Sequence, residues 1–157
     1  MHEDFRVLPI GWVRSTRVSP LDDDWDAVES HVELDAERFD PSALLGLDSF
    51  SHVEVVFLFD QVAEHDTESG ARHPRGRTDW PLVGIFAQRG KNRPNRLGVT
   101  VCRLLRVRGL TLNVAGLDAI DGTPVLDIKP VMSGFERRGE LREPAWAREL
   151  MASYWSS

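Results

Sequence analysis

Short apolar runs, many of them alternating with polar residues, are distributed along most of the chain. The run HVEVVFLF at 52–59 and the run GVTVCRLLRV at 98–107 are rich in Val, Leu and Phe, which favour β-strands. Gly, Pro, Asn and Asp separate the runs, as is typical of turns. Strands are predicted at 5–13, 31–36, 52–59, 82–87, 98–107, 110–116 and 124–130.

Two of these runs lie so close together that they predict a β-hairpin. Gly109 falls at or near the turn of VRGLTLNV, and Leu110, Leu112 and Val114 alternate so that they face the same side. Residues 60–79, in contrast, are polar and contain glycine, and we expect a long mobile loop there.

Helical patterns are few. Residues 40–48 predict one short helix with Asp40 as its N-cap. A C-terminal helix is predicted at about 143–155, opened by Pro144. Its apolar face would consist of Trp146, Leu150 and Tyr154. Strands without alternating helices predict a mostly-β barrel or sandwich and disfavour a doubly wound α/β fold.

Length and composition are those of an ordinary globular protein. At 157 residues, with 41% apolar and 28% charged residues, the chain suits one domain with one core. No apolar run approaches the roughly 18 residues of a membrane span, and the acidic N-terminus does not resemble a signal peptide. The single cysteine, Cys102, excludes an intramolecular disulfide and a multi-cysteine zinc site. We therefore expect a single-domain cytoplasmic protein.

Charge is distributed unevenly along the chain. Residues 72–108 contain ten Lys and Arg against one acid, Asp79, a net charge of +9, whereas the remainder contains nine bases and 24 acids, −15. Because phosphate binding depends on the local field, the net charge of −6 does not exclude an RNA partner. Alternatively, the strand arginines only solvate one face of a sheet.

Common catalytic and nucleotide-binding motifs are absent from the sequence. There is no G-x-G-x-x-G, no P-loop, no G-x-S-x-G and no H-E-x-x-H. The five histidines show no tight ligand spacing, and we expect no metal site. Two segments rich in functional groups remain, at 84–100 and 116–130.

The first segment, GIFAQRGKNRPNRLGVT, combines an aromatic residue, forked cations and an amide. Phe86 offers an aromatic face, Arg89 and Arg93 suit carboxylates or phosphates, and the amide of Asn95 can pair with an adenine edge. Gly98 would let the backbone approach a ligand closely. Alternatively, the Pro-Asn turn is only structural.

The second segment, GLDAIDGTPVLDIKP, contains carboxylates that can hold ribose hydroxyls or accept an amine proton. Asp118 and Asp121 flank a short stretch, and Asp121-Gly122 is a strong turn dipeptide. Asp127 and Lys129 face the same side of a strand. Alternatively, Asp121 forms an Asx-turn and the other two residues form a structural ion pair.

Together the two segments resemble the signature of the TsaA-like family, also called the YaeB-like or tRNA N6-methyltransferase O family. Its members carry Gly-hydrophobic-Phe-Ala-x-Arg and Arg-Pro-Asn-x-hydrophobic-Gly, followed by Asp-x-hydrophobic-Asp-Gly-Thr-Pro and Asp-Ile-Lys-Pro. FSHVEVVFLF at 50–59 and RHPRG at 72–76 are also similar to elements of this family, and the resemblance covers roughly residues 7–135. The sequence departs from the pattern at Arg89-Gly90-Lys91, where many members have Arg-Ser-Pro, and at Asn95-Arg96-Leu97, where they have Asn-Pro-Ile.

The resemblance implies a single-domain β-barrel that binds S-adenosylmethionine (SAM), works as a homodimer and methylates N6 of threonylcarbamoyladenosine beside the tRNA anticodon. The implied catalytic residues are Asp121 and Asn95. The implied cofactor-binding residues are Phe86, Ala87, Arg89, Arg93, Pro94, Asp118, Gly122, Thr123 and Pro124. The excess of positive charge would hold RNA phosphates, and the predicted RNA-binding residues are Arg72, His73, Arg75, Arg77, Lys91, Arg96 and Lys129.

Individual roles follow from the chemistry of a methyl transfer. Phe86 would lie near the sulfonium, Arg89 or Arg93 would pair with the cofactor carboxylate, and Asp118 or Asp121 would hold the ribose. Asn95 or Asp121 would accept the amine N–H, and only Asp121 could act as a base. Two alternatives remain: a methyltransferase of the same fold with another substrate, and a non-catalytic module that binds SAM or RNA.

Overall fold

The computed structural model describes residues 2–156, which form a closed β-barrel with one α-helix. The strands are β1 (Gly11–Ser15), β2 (Glu29–Leu34), β3 (His52–Leu58), β4 (Ala71–Arg72), β5 (Val83–Gly84), β6 (Leu97–Arg108), β7 (Thr111–Ala115) and β8 (Pro124–Pro130), and the helix is α1 (Ala145–Met151). Six strands close the antiparallel barrel in the order β1-β2-β7-β6-β3-β8, while β4 pairs with β5 alone. The prediction of a mostly-β barrel is confirmed.

The barrel interior is filled by alternate side chains of each strand. In β3, Val53, Val55 and Phe57 are buried, whereas the residues between them are partly exposed. This alternation follows from the pleat, which directs successive side chains to opposite faces. The other strands contribute Val13, Val32, Leu112, Val114 and Val125 to the same core.

Closure of the barrel depends on a close approach of β1 to β2. Gly11 pairs with Leu34 of β2 and also with Val125 of β8. A Cβ at this position would lie 2.3 Å from the carbonyl oxygen of Glu33, so only glycine fits.

The predicted hairpin is confirmed. β6 and β7 pair across a turn at Gly109, whose φ of +60° favours glycine. Leu112 and Val114 are buried and Leu110 is partly buried, as the alternation predicts. The pairing register shifts between Leu104 and Arg106, which places one extra residue in β6.

Two predicted strands are shorter than expected. The run 5–13 forms a strand only from Gly11, and Phe5 is 90% exposed. The run 82–87 leaves the strand after Gly84 and becomes a 3-10 turn over Ile85–Ala87. In both places apolar residues lie outside the barrel ladder, so composition alone indicated more strand than forms.

The predicted helix at 40–48 is two 3-10 turns, Pro41–Leu44 and Leu47–Ser49. Asp40 is the N-cap as expected, since its carboxylate accepts a 2.8 Å hydrogen bond from the Ser42 N–H. Gly46, at φ +87°, interrupts the helical path.

The remaining predictions concern the loop and the C-terminus. Residues 60–79 contain β4 and 3-10 turns at Glu64–Asp66 and Pro74–Gly76 rather than only irregular loop. α1 ends at Met151, four residues before the predicted end. No helix within residues 2–156 is long and apolar enough to span a membrane.

Candidate functional site

A cleft of about 1250 Å³ lies at the barrel end where β3 finishes and β6 begins. Ligand sites commonly measure about 300–1,000 Å³, so the cleft has room for a small molecule and part of a second one. Its walls come from residues within 20–25, 57–62, 72–76, 86–101, 118–123 and 146–155.

Both polar segments recognised in the sequence contribute to this cleft. The first leads into β6 and the second follows β7, so the antiparallel hairpin brings them to the same end of the barrel. The Thr100 hydroxyl of β6 donates a hydrogen bond to the Asp118 carboxylate. Arg89 donates to the Val99 carbonyl at 2.8 Å, which holds the preceding loop against the same strand.

Gln88 is buried and holds the loop before β6 in place by hydrogen bonds. It is 7% exposed, and its side-chain amide donates to the carbonyls of Arg72 at 2.9 Å and Val83 at 3.0 Å. These bonds tie the loop to both strands of the β4–β5 ribbon. Gln88 was not among the predicted site residues, because a single glutamine within a loop has no sequence pattern that distinguishes it.

Arg93 and the turn after it shape one rim of the cleft. The Arg93 guanidinium donates to the Gln88 carbonyl at 2.8 Å, and the Arg96 N–H donates to the Arg93 carbonyl at 3.0 Å. Pro94 and Asn95 form the exposed tip of this turn and line the cleft. Part of the Arg93 guanidinium therefore holds the loop, a structural use that the sequence analysis did not foresee.

Aromatic and cationic groups lie in the same wall. Phe86 is 77% exposed and lines the cleft beside Ala87. Arg72 also lines it, and its buried Nε has no hydrogen-bond partner among the described residues. A Cβ at Gly90 would lie 2.8 Å from the Arg72 Nη2, so glycine at this position leaves room for the guanidinium.

Asp118 accepts hydrogen bonds from two hydroxyl groups. One carboxylate oxygen accepts from Thr100 and the other from Tyr154. Burial, and then the negative charge of Asp118, raise the pKa of the Tyr154 hydroxyl well above its usual value. Tyr154 therefore remains a hydrogen-bond donor at neutral pH.

Asp121 lies outside the residues that line the cleft. Its carboxylate accepts a 3.0 Å hydrogen bond from the Ser15 N–H, and Gly122 follows it at φ +82°. The carboxylate therefore holds the turn against β1 rather than forming the Asx-turn of the structural alternative, and its position does not support the predicted role as a base. Thr123 lines the cleft, and Gly122 and Pro124 do not.

The predicted RNA-binding residues are divided by the structure. Arg72, Arg75 and Lys91 line the cleft, whereas His73, Arg77, Arg96 and Lys129 do not. The basic cluster expected from the sequence is therefore not one continuous surface of free cations, because several of its members have structural partners.

These structural partners are acidic side chains and backbone carbonyls. Arg75 lies 3.3 Å from Asp23, Arg77 bonds Asp79, and Arg96 donates to the Val62 carbonyl at 2.7 Å. His73 Nδ1 lies 2.7 Å from the Trp80 carbonyl. Lys129 pairs with Asp127 at 2.8 Å, and this contact raises the pKa of Lys129. The structural alternative for the last pair is thus the observed arrangement.

The C-terminal segment, residues 145–155, forms a wall of the cleft that the sequence analysis did not assign to the site. Its contribution consists of Trp146, Ala147, Leu150, Met151, Tyr154 and Trp155. The spacing of Trp146, Leu150 and Tyr154 predicted a helical face; Trp146 and Leu150 lie on α1, Tyr154 follows its end, and all three line the cleft. Among residues 2–156, no group of three or more His, Cys, Asp or Glu is placed to hold a metal ion.

Comparison with known proteins identifies the family. The model of the tRNA-methyltransferase O N-terminal domain matches residues 18–137. A human tRNA (adenine(37)-N6)-methyltransferase is 35% identical over 102 residues, which are 65% of this chain and 23% of that protein. A probable S-adenosyl-L-methionine-binding protein of Methanothermobacter thermautotrophicus is 36% identical over 140 residues, 87% of this chain and 96% of the relative.

A solved structure supports the same conclusion. TrmO from Pseudomonas aeruginosa superposes with a TM-score of 0.75 at 30% identity, over 93% of this chain and 63% of that one. The chain spans about a quarter of the human relative's length. The resemblance seen in the two motifs is confirmed: the chain belongs to the tRNA-methyltransferase O family, whose N-terminal domain model covers most of its length.

Proposed function

We propose that this chain binds SAM in the cleft and transfers its methyl group to N6 of an adenosine in tRNA, with threonylcarbamoyladenosine beside the anticodon as the target. Relatives named as a tRNA (adenine(37)-N6)-methyltransferase and as a SAM-binding protein support this reaction class. The observation that carries the proposal is the Thr100–Asp118 hydrogen bond, because it joins the two family motifs in the wall of one cleft.

The side chains in the cleft fit the chemical groups of SAM. Arg72, with its unpartnered buried Nε, and Arg89 suit the cofactor carboxylate. Asp118 suits the amino group or the ribose hydroxyls, since a carboxylate has about four lone-pair sites and the two hydroxyls use only part of them. The exposed ring of Phe86 suits a sulfonium, at about 0.5–2 kcal/mol.

The residues of the chain would act mainly by orientation. When bound, SAM supplies a methyl group made electrophilic by the positive sulfur. Holding reactants in line can contribute roughly 7–11 kcal/mol, so little covalent chemistry is required of the protein. An exocyclic adenine amine is a weak nucleophile, and the amide oxygen of Asn95 is the proposed acceptor for its N–H. As the N6–CH3 bond formed and the S–CH3 bond broke, S-adenosylhomocysteine would leave with the sulfur electron pair, and the N6 proton would pass to solvent. Asp121 has no part in this step, because its carboxylate is bonded to the Ser15 N–H outside the cleft.

A homodimer in the cytoplasm is part of the same proposal. Along β6, Leu97 and Val101 are 42% and 46% exposed where they line the cleft, and Leu105 is 48% exposed outside the cleft lining. Contiguous exposed apolar side chains are typical of association surfaces, and the family resemblance implies a dimer. Light scattering after gel filtration should give the mass of two chains, and Leu105→Glu, outside the cleft lining, should shift that mass toward one chain.

A second substrate class is favoured by one observation. Arg75 and Arg77, expected to bind phosphates, are paired with Asp23 and Asp79. A methyltransferase acting on a substrate other than tRNA would not need these cations free. Mass spectrometry of tRNA after incubation with protein and SAM distinguishes the two substrate classes, since only a tRNA methyltransferase adds a methyl group to adenosine in the tRNA.

Calorimetric titration with SAM tests cofactor binding. Phe86→Ala should weaken SAM affinity by about 2- to 30-fold, the range that a lost cation–π contact gives. Phe135→Ala is the matched control, because Phe135 is 89% exposed and lies outside the cleft lining. Equal affinities of the two variants would refute the assigned role of Phe86, and absence of binding by folded wild-type protein would refute the cofactor site.

A further inference from the structure

The C-terminal segment (145–155) lies beyond residues 18–137, which the family model matches, yet it forms a wall of the cleft. It contributes two indoles and a phenol to a site that also contains residues of both family motifs. This placement raises the question of what the segment adds to the chemistry of the site.

Two hydrogen bonds anchor the segment, one from α1 and one from the residues after it. Glu149 accepts a 2.8 Å hydrogen bond from the Trp80 indole, which is 4% exposed. Past the end of α1, the Trp25 N–H donates to the Tyr154 carbonyl at 2.9 Å. The backbone of Tyr154 is therefore held by the loop before β2, and its ring is directed into the cleft wall.

We propose that Tyr154 is a positioning residue of the cofactor site, which acts by fixing the Asp118 carboxylate through its hydroxyl. Thr100 bonds one carboxylate oxygen and Tyr154 bonds the other, so the two hydroxyls together set both the position and the rotation of the carboxylate. With Thr100 alone, the carboxylate could turn about its side-chain bonds. The inference rests on the proposed binding of SAM in this cleft.

The charge of Asp118 explains why a tyrosine hydroxyl suits this task. A hydrogen bond to a charged acceptor is stronger than one between neutral groups, and burial of the phenol strengthens it further. The lone pairs of Asp118 that the two hydroxyls do not use remain available to a ligand. The C-terminal segment thereby contributes to the site by orienting the carboxylate of Asp118, a family-motif residue, toward the ligand.

A double-mutant cycle in SAM affinity tests this role. Tyr154→Phe keeps the ring and removes only the hydroxyl, and it should weaken SAM binding by up to about tenfold in calorimetry. This ceiling is about the energy of one hydrogen bond to a charged group, and only the part that orients Asp118 for the ligand affects the affinity. Asp118→Asn should weaken binding at least as much. If Tyr154 acts through Asp118, the double variant should bind no more weakly than Asp118→Asn alone.

Glu149→Ala is the control for a merely structural role. It removes the acceptor of the Trp80 indole and loosens the same segment without touching the Tyr154–Asp118 contact. Its effect on SAM affinity should be small and additive with that of Asp118→Asn. Urea unfolding of every variant accompanies the titrations.

The outcomes separate the two proposals. If the wild type binds SAM and Tyr154→Phe binds equally well, the positioning role is wrong while the cofactor site stands. Coupling of Glu149→Ala to Asp118→Asn as strong as that of Tyr154→Phe would also overturn it, because docking of the segment would then account for the effect. If folded wild-type protein binds no SAM, the proposed function fails and the positioning role fails with it.

Discussion

Gly98 shows how one absent side chain shapes both the core and the cleft. A Cβ at this position would lie 2.5 Å from Cε2 of Phe57 and 2.9 Å from Cζ of Phe59. Phe57 is buried in the barrel, so its ring has little room to move. The glycine of the family motif therefore makes space for aromatic packing beneath the cleft, a role different from the close approach to a ligand that its sequence context suggested.

Gly98→Ala should destabilise the fold by about 1–3 kcal/mol, the usual cost of overpacking a core. Gly84→Ala is the matched control, because a Cβ there meets no atom within 4 Å and φ is an ordinary −61°. Urea unfolding measures both. Equal unfolding free energies for the two variants would show that the rings of Phe57 and Phe59 can move aside without a loss of stability.

Cys102 predicts a pH dependence of stability. It is 3% exposed, and burial, followed by the charge of Asp118, raises the pKa of its thiol from 9.0 to about 12. The folded protein therefore keeps the proton while the unfolded chain loses it above about pH 9. Stability from this group is complete below pH 9 and falls as pH rises toward 12.

The measurement is urea unfolding at pH 8 and pH 10 for wild type and Cys102→Ala. Between these values the wild type should lose about 1 kcal/mol more than the variant, since each pH unit above the unfolded pKa is worth about 1.4 kcal/mol. The variant also changes packing, but that effect is the same at both pH values. Parallel losses would mean that the thiol ionises in the folded protein.

At the scale of elements, the cleft depends on the link between the β4–β5 ribbon and the barrel. Gln88 supplies this link, because its amide bonds the carbonyls of Arg72 and Val83 while its own backbone carbonyl accepts from Arg93. One buried residue therefore connects the β4–β5 ribbon, the loop before β6 and the rim of the cleft.

Gln88→Ala should cost about 1–3 kcal/mol, because it leaves two carbonyls without their donor in a buried place. Gln61→Ala is the matched control, since Gln61 is exposed and bonds only its neighbour Asp60. Thermal unfolding compares the two, and hydrogen exchange should locate the loss of protection in the ribbon. Unchanged exchange at 71–72 and 83–84 in Gln88→Ala would contradict the proposed link.

Sequence patterns predicted the elements better than the side-chain contacts. The run 124–130 coincides with β8, because alternation and flanking turn residues define a strand locally. The exposed run at 5–8 was predicted as strand but forms none, since apolar composition does not report whether a partner strand is available. Asp118 and Asp121 look equivalent in the sequence, and only the tertiary contacts with Tyr154 and Ser15 distinguish them.

At the scale of the whole molecule, the positive segment is partly neutralised by the acidic remainder of the chain. Acidic residues from outside 72–108 pair with some of its arginines and so offset part of its +9 charge. Arg75 lies near Asp22 and Asp23, and Arg103 bonds Asp26. Exposed ion pairs of this kind are weak, at about 0–1 kcal/mol, so a phosphate backbone can displace them. The paired arginines therefore remain candidates for RNA binding.

Arg75→Ala combined with Arg77→Ala should weaken tRNA binding and make it less dependent on salt. Each phosphate contact contributes roughly 0.7–0.9 to the slope of log affinity against log salt, so losing two should lower it by about 1.5. Arg106→Ala with Arg108→Ala is the charge-matched control, because both residues are exposed and lie at the end of β6 opposite the cleft. Filter binding at several salt concentrations measures all three proteins, and identical slopes for the two double variants would exclude an RNA contact specific to Arg75 and Arg77.

The length of β6 separates the cleft from the hairpin turn. Its 12 residues extend from Leu97 in the cleft wall to Arg108 beside Gly109, a path of roughly 36–40 Å for an extended strand. The turn is exposed and belongs to no wall of the cleft. A fluorophore or affinity tag inserted at this turn would thus be attached to a strand of the barrel, at a known distance from the ligand. This turn is therefore a suitable place to attach a reporter or to tether the protein to a surface.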